Sequence, residues 1–300
     1  MKEKILRLKK EKNAIILAHY YTRPEVQEIA DFVGDSLALS QKAAATDADI
    51  ILFAGVHFMA ETAKILNPTK KVLIPDFKAS CSLADGCRAQ AFGKFLEDYP
   101  GYTVLSYINC SAEVKAMSDI IVTSGNALRI VQSLPQNEKI VFAPDRNLGT
   151  YINRALNRNM VLWDGSCCVH DRILPDDIIE LRVSHPAAQV IAHPECPTDI
   201  LELADFTGST AAMLKHVAAS TCREFIVATE PGILFELQRQ NPDKSFYPVQ
   251  AGGIDNVCEH MKLNTLDNIC RALETEQPEL LLDPELMDKA RKSIERMLSY

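Results

Sequence analysis

The sequence predicts an α/β protein made of three pseudo-threefold-related, three-layer α/β/α sandwiches with short parallel sheets. Three observations carry this expectation: a gapless triple repeat, an alternation of short apolar runs with amphipathic stretches, and one cysteine at a matched place in each repeat. The copies are residues 18–36 (AHYYTRPEVQEIADFVGDS), 106–124 (SYINCSAEVKAMSDIIVTS) and 192–210 (AHPECPTDILELADFTGST), which start 88 and then 86 residues apart. A period of this size divides a 300-residue chain into three related units.

Taken in order, MKEKILRLKKEK reads as a charged amphipathic helix. Runs rich in Ile, Val and Leu then fall at 14–18, 50–54 and 71–75, at 103–107, 139–143 and 160–163, and at 188–192, 224–228 and 245–249. Runs of four to seven residues separated by amphipathic stretches of ten or more are the pattern of parallel strands with crossover helices. Three strands per unit are expected. After the third unit, KLNTLDNICRAL and DPELMDKARKSIERML read as two terminal helices, the second capped by Asp283 with Pro284 at its first position. The implied units are 1–85, 86–172 and 173–260, with 261–300 packing on them.

Within each copy the polar residues recur in place. The first apolar run ends at His19, Tyr107 or His193, followed two residues later by Tyr21, Asn109 or Glu195. An Asp then recurs at 31, 119 and 205, and the copy closes on Ser36, Ser124 or Thr210. Ligands bind beyond the carboxyl ends of parallel strands, where these groups lie. Ser36, Ser124 and Thr210 precede helical runs and are expected as N-caps, which would aim three helix starts at one cavity suited to carboxylate or phosphate. A Glu beside a His is suited to proton transfer.

A cysteine follows the third run of each unit: Cys81, 62 residues after His19; Cys167, 60 after Tyr107; and Cys258, 65 after His193. Three thiolates in such an arrangement could hold zinc, with His170 or Cys168 as a fourth ligand, or an iron-sulfur cluster with one open iron. Spacing alone does not separate the two. The nine cysteines form no CxxC and no secreted framework. Cys110, Cys222 and Cys270 read as small buried hydrophobes, whereas Cys87, Cys168 and Cys196 lie near motifs.

A net charge of −8 argues against a nucleic-acid partner. No apolar run approaches a membrane span and no signal-peptide core is present, so no membrane association and a cytoplasmic location are expected. The segment Pro144-Asp145-Arg146-Asn147-Leu148-Gly149 resembles a phosphate loop only loosely, and no GxGxxG or Walker sequence occurs.

The ordered set AHYY, ADFVGDSLALS, FMAETAKILNP, YINCSAEVKA, VTSGNA, PDRNLG, CCVH, HPEC, GST and CEHMKLNTL, covering nearly the whole chain, resembles the quinolinate synthase family. The resemblance implies three pseudo-symmetric α/β domains and a 4Fe-4S cluster held by Cys81, Cys167 and Cys258, whose open iron acts as a Lewis acid. It implies condensation of iminoaspartate with dihydroxyacetone phosphate to quinolinate, a precursor of NAD, and a functional link to an iminoaspartate-producing oxidase or dehydrogenase. By matching motif, His19, Tyr21, Tyr107, Asn109, His193 and Glu195 would line the cavity, and Ser36, Ser124 and Thr210 would hold carboxylates or phosphate. Tyr21, His193 and Glu195 would move protons, while Tyr107 and Asn109 orient substrate.

Three departures from the family pattern are Cys168 beside Cys167, the extra Cys87 after Cys81, and a longer AGGIDNVC around Cys258. Cys87 could compete as a ligand or pair with Cys81. The other readings are a different triplicated three-cysteine iron-sulfur enzyme, such as the diphosphate-reducing isoprenoid enzyme or the diphthamide radical enzyme, and a zinc-stabilised scaffold without catalysis.

Overall fold

Each sheet has four strands rather than the three expected, and all strand pairs within the sheets run parallel. A computed structural model describes residues 1–300. The strands are β1 (Ala14–His19), β2 (Phe32–Gly34), β3 (Ile50–Ala54) and β4 (Lys71–Leu73); β5 (Thr103–Tyr107), β6 (Ile120–Val122), β7 (Ile140–Ala143) and β8 (Val161–Leu162); and β9 (Gln189–Ala192), β10 (Phe206–Thr207), β11 (Glu224–Ala228) and β12 (Ser245–Pro248). They assemble in the orders β2-β1-β3-β4, β6-β5-β7-β8 and β10-β9-β11-β12. Helices flank each sheet, giving the α/β layering expected.

The unforeseen strands β2, β6 and β10 are two or three residues long, too short to show a periodicity. They are fixed instead by the recurring aspartate. In each copy its backbone N–H donates to a carbonyl of the central strand, and its Oδ2 accepts the N–H of that same residue: Asp31 with Ile16 (2.9 and 2.8 Å), Asp119 with Val104 (2.9 and 2.8 Å), Asp205 with Val190 (2.8 and 2.7 Å). This two-bond clamp sets the register of the short strand against its neighbour, so the recurrent Asp serves the fold and not the chemistry.

The copies also covary in packing. Gly34 and Gly208 lie where an added Cβ would come within 2.8 and 2.9 Å of the Phe32 and Phe206 rings. The second copy has Ile120 and Val122 at the corresponding places and needs no glycine.

The charged N-terminal helix (Lys2–Glu11) and the helices Leu266–Thr275 and Pro284–Leu298 form as expected, with Asp283 accepting from the Leu286 N–H at 3.0 Å. Met287, Ala290, Ile294 and Met297 of the last helix enter the core shared by the first two sheets. No helix is long and apolar enough to cross a membrane.

The sheets close head to tail, like a heterologous ring. After β3, Glu61 accepts from the Ala112 N–H beyond β5 (2.9 Å). After β7, Asn147 donates to the Glu195 carbonyl beyond β9 (3.0 Å). After β11, Gly232 accepts from Gln27 (3.1 Å), and Thr229 shares a 2.7 Å hydrogen bond with the Tyr21 hydroxyl beyond β1. The strand ends of all three sheets thereby face one centre.

Candidate active site

At that centre a cavity is lined by all twelve residues singled out as candidates: His19, Tyr21, Ser36, Cys81, Tyr107, Asn109, Ser124, Cys167, His193, Glu195, Thr210 and Cys258. The lining also includes two buried polar residues, His170 and Glu230.

The His-x-Tyr and His-x-Glu spacing has a local cause. The Tyr21 backbone N–H donates to His19 Nδ1 (3.1 Å) and the Glu195 N–H to His193 Nδ1 (3.3 Å). A backbone N–H can only donate, so Nδ1 must accept and a neutral ring carries its proton on Nε2. Both rings are buried, and burial depresses each to about 3; the His19–His193 proximity adds to the effect on His19. At neutral pH each presents an uncharged Nε2–H, and His193 Nε2 reaches Ser124 Oγ at 3.2 Å.

Glu195 is 4% exposed, a burial that only well-matched partners sustain. Tyr107 donates to its Oε1 at 2.5 Å, Asn109 Nδ2 stands 3.5 Å from the same oxygen, and His170 Nδ1 lies 2.8 Å from Oε2. Burial works to raise the Glu195 carboxyl, but His170, His193 and the Tyr107 hydroxyl hold it below the usual carboxylate range. Burial, reinforced by that negative charge, pushes the Tyr21 and Tyr107 phenols well above their ordinary value, so both remain donors. Asn109 Oδ1 is buried with no partner, an acceptor left free beside the cavity.

His170, considered in the sequence only as a fourth zinc ligand, instead joins both sides of the site. Its Nδ1 lies 3.2 Å from Cys167 Sγ as well as near Glu195, and its Nε2 lies 2.8 Å from Thr229 Oγ1, which meets the Tyr21 hydroxyl. A continuous chain runs Tyr107, Glu195, His170, Thr229, Tyr21. Thr229 gave no sign in the sequence beyond ending an apolar run, because its partners come from distant segments.

The expected caps are displaced by one residue or more. Asp35 and Ser209, not Ser36 and Thr210, accept from the N–H groups of Ala38 and Ala212, and Asn126 is the N-cap of the helix after Ser124. Asp35 and Ser209 supply the capping oxygens of their helices and no side chain caps the helix after Ser124, so the hydroxyls of Ser36, Ser124 and Thr210 are not consumed at the helix ends, and all three residues line the cavity.

Cys81, Cys167 and Cys258 stand at the same cavity, one beyond the last strand of each sheet. Burial pushes their thiols up, Cys258 to about 11 and the other two further. Cys81 is also raised by Cys258, and Cys167 by Glu195 and by Cys81. Buried sulfurs of this kind become thiolates when a metal supplies the compensating charge, so the donor set fits a thiophilic centre. The metal-ligating side chains whose donor atoms all come within 4.8 Å of one another are Cys167, His170 and Glu195; the three thiols do not form such a group. A lone tetrahedral zinc, with Zn–S bonds of about 2.3 Å, would need sulfurs less than about 4 Å apart.

The other cysteines divide. Cys87, Cys110, Cys196 and Cys270 are buried, whereas Cys222, expected to be buried, is only partly so, with its thiol turned to the Ala187 and Glu224 carbonyls; Cys87 packs in the apolar core away from the cavity lining. Cys168 is exposed at the cavity rim.

The chain matches the family described as Quinolinate synthetase A protein over residues 3–299. It is 52% identical to the quinolinate synthase of Trichodesmium erythraeum over 99% of this chain and 92% of the relative. It is 53% identical to that of Rippkaea orientalis, over 97% and 90%, and 54% identical to that of Synechocystis sp., over 97% and 92%.

Proposed function

The chain belongs to the quinolinate synthetase A family, and on that premise we propose that it condenses iminoaspartate with dihydroxyacetone phosphate to quinolinate for NAD biosynthesis. The observation that carries the proposal is the meeting, in one cavity, of a thiol from each third of the chain with two neutral imidazoles and an anionic Glu195. Cys81, Cys167 and Cys258 would hold a 4Fe-4S cluster. When bound, the cluster would supply Lewis acidity at its one iron without a cysteine.

The chain's own residues account for binding and proton transfer. Hydroxyls of Ser36, Ser124 and Thr210, with the Nε2–H groups of His19 and His193, can donate to substrate carboxylates and phosphate at no cost in buried charge. Asn109 Oδ1 can accept from a substrate hydroxyl or imine N–H, and Tyr107 with Asn109 orients the reactants. Glu195, held as the anion, is the base for protons leaving carbon or nitrogen. Tyr21, a phenol that stays protonated, is suited to return a proton to a departing oxygen, and the Thr229–His170–Glu195 chain connects the two groups.

Anaerobically prepared protein tests the reading. It should carry about four irons, absorb in the visible iron-sulfur band, and form quinolinate from the two substrates. Changing Cys81, Cys167 or Cys258 to Ala should abolish cluster binding and turnover together, whereas Glu195→Gln should keep the cluster and lose turnover. A colourless protein with one zinc, or an active cluster-free Cys258→Ala variant, would overturn it.

A further inference from the structure

The PDRNLG segment resembled a phosphate loop in sequence, yet it does not line the cavity. Two of its residues have plain structural duties. Asp145 caps the helix Arg146–Leu156 by accepting from the Leu148 N–H at 2.8 Å. Gly149 lets that helix lie on β8, since a Cβ there would come within 2.5 Å of Leu162.

Arg146 and Asn147 remain, and both reach Asp171. Arg146 Nη2 is 3.1 Å from Asp171 Oδ2. Asn147 Nδ2 donates to Asp171 Oδ1 at 3.1 Å and to the Glu195 carbonyl oxygen at 3.0 Å. Asp171 directly follows His170, whose ring holds the Glu195 carboxylate at 2.8 Å. Glu195 is therefore held twice from the loop that carries Cys167 and His170: by its side chain through His170, and by its backbone through Asn147.

We propose that Asn147 is a positioning residue, whose bond to the Glu195 carbonyl fixes the Glu195 carboxylate at its place between Tyr107 and His170. The inference rests on the proton-transfer role proposed above for Glu195. An amide suits the task because one nitrogen offers two hydrogens, one for each acceptor. Asp would repel Asp171 and the carbonyl, and Ala would leave both acceptors without this donor. Misplacing a reacting group by about 1 Å can cost on the order of 100-fold in rate.

The test compares Asn147→Ala with the exchanged pair Asn147→Asp/Asp171→Asn in anaerobically reconstituted protein, with iron content and thermal midpoint recorded beside kcat and KM. The exchange restores a hydrogen bond between positions 147 and 171 but leaves no donor for the Glu195 carbonyl. Both proteins should keep their iron and hold KM within about threefold, while kcat falls by roughly 10- to 100-fold. If Asn147→Ala does not fold, the exchanged pair alone decides. Recovery of wild-type kcat by the exchange would show that Asn147 only anchors the Asp171 loop and would overturn the inference, as would a loss confined to KM. Glu195→Gln, run alongside, separates the levels. Full turnover there removes the role of Glu195 and this inference with it, whereas lost turnover there beside unimpaired Asn147 variants removes this inference alone.

Discussion

The first and second sheets share one apolar core of 43 buried residues, to which Ile51 and Phe53, Leu105 and Phe142, and Ile294 of the last helix all belong. The third sheet has two small cores of its own, of nine and eight residues, one on each face. It meets the others through polar groups: the pair of buried Glu230 with partly buried Lys262 at 2.7 Å, with Lys262 also donating to the Tyr21 carbonyl at 2.6 Å, the Asn147–Glu195 contact, and the chain through Thr229 and His170. Three copies of one module are thus joined by two kinds of interface. Apolar burial is non-directional and tolerates small displacements, whereas hydrogen-bonded ion pairs hold one geometry or none. The polar interface is where the proton-transfer candidates lie, so the geometry that chemistry requires and the geometry that joins the third sheet are set by the same bonds.

The largest effect that could break this contrast is in the shared core. Phe142→Ala should cost about 3–5 kcal/mol and reduce hydrogen-exchange protection across both of the first two sheets, leaving the third sheet's slow amides in place. Loss confined to β5–β8 would mean that the 43 residues do not act as one unit. At the polar interface, Glu230→Gln removes the counter-ion of the partly buried Lys262 and should cost about 1–3 kcal/mol. The loss should be seen as faster exchange and proteolysis in the third sheet, while the first two retain their protection.

Acid sharpens the comparison further, because His19 and His193 sit on opposite sides of that interface. Each is near 3 in the folded protein against 6.5 as a free side chain. Between those values the unfolded chain binds protons that the folded chain refuses, so stability falls as pH drops from about 6.5 toward 3, by up to about 1.4 kcal/mol per pH unit for each ring. Melting temperatures of a His19→Asn/His193→Asn variant should decline less steeply over that window; an unchanged slope would place the acid sensitivity elsewhere. The smallest effect belongs to Arg154→Ala. Its 2.7 Å pair with Glu202 joins the outer sides of the second and third sheets, but both side chains are more than half exposed. Removing it should change stability by less than about 1 kcal/mol, and a larger loss in chemical denaturation would show this outer contact to be part of the joint.

Most of the candidate site was legible in the sequence because the repeat aligned it: twelve residues named from matched positions line one cavity. What escaped were the residues that act across copies. Thr229 and Glu230 follow β11 as ordinary loop residues, and His170 was visible only as a possible ligand, since what defines each is a partner 25 to more than 200 residues away. The capping duty was misplaced for a smaller reason. Asp35 and Ser209 are as good N-caps by composition as the residues after them, and only the backbone angles decide which side chain turns inward.

By itself the sequence determined the triplication, the parallel α/β layering, the three thiols and the spacing that lets a following N–H fix each histidine's tautomer, because all of these are written in short segments and their repetition. Only the tertiary structure decided the fourth strands, the ring closure that brings the strand ends together, the fusion of two sheets by the last helix, and the protonation states around Glu195. Those depend on desolvation and on pairings between distant segments, which arise only when the three copies bury one another's polar groups.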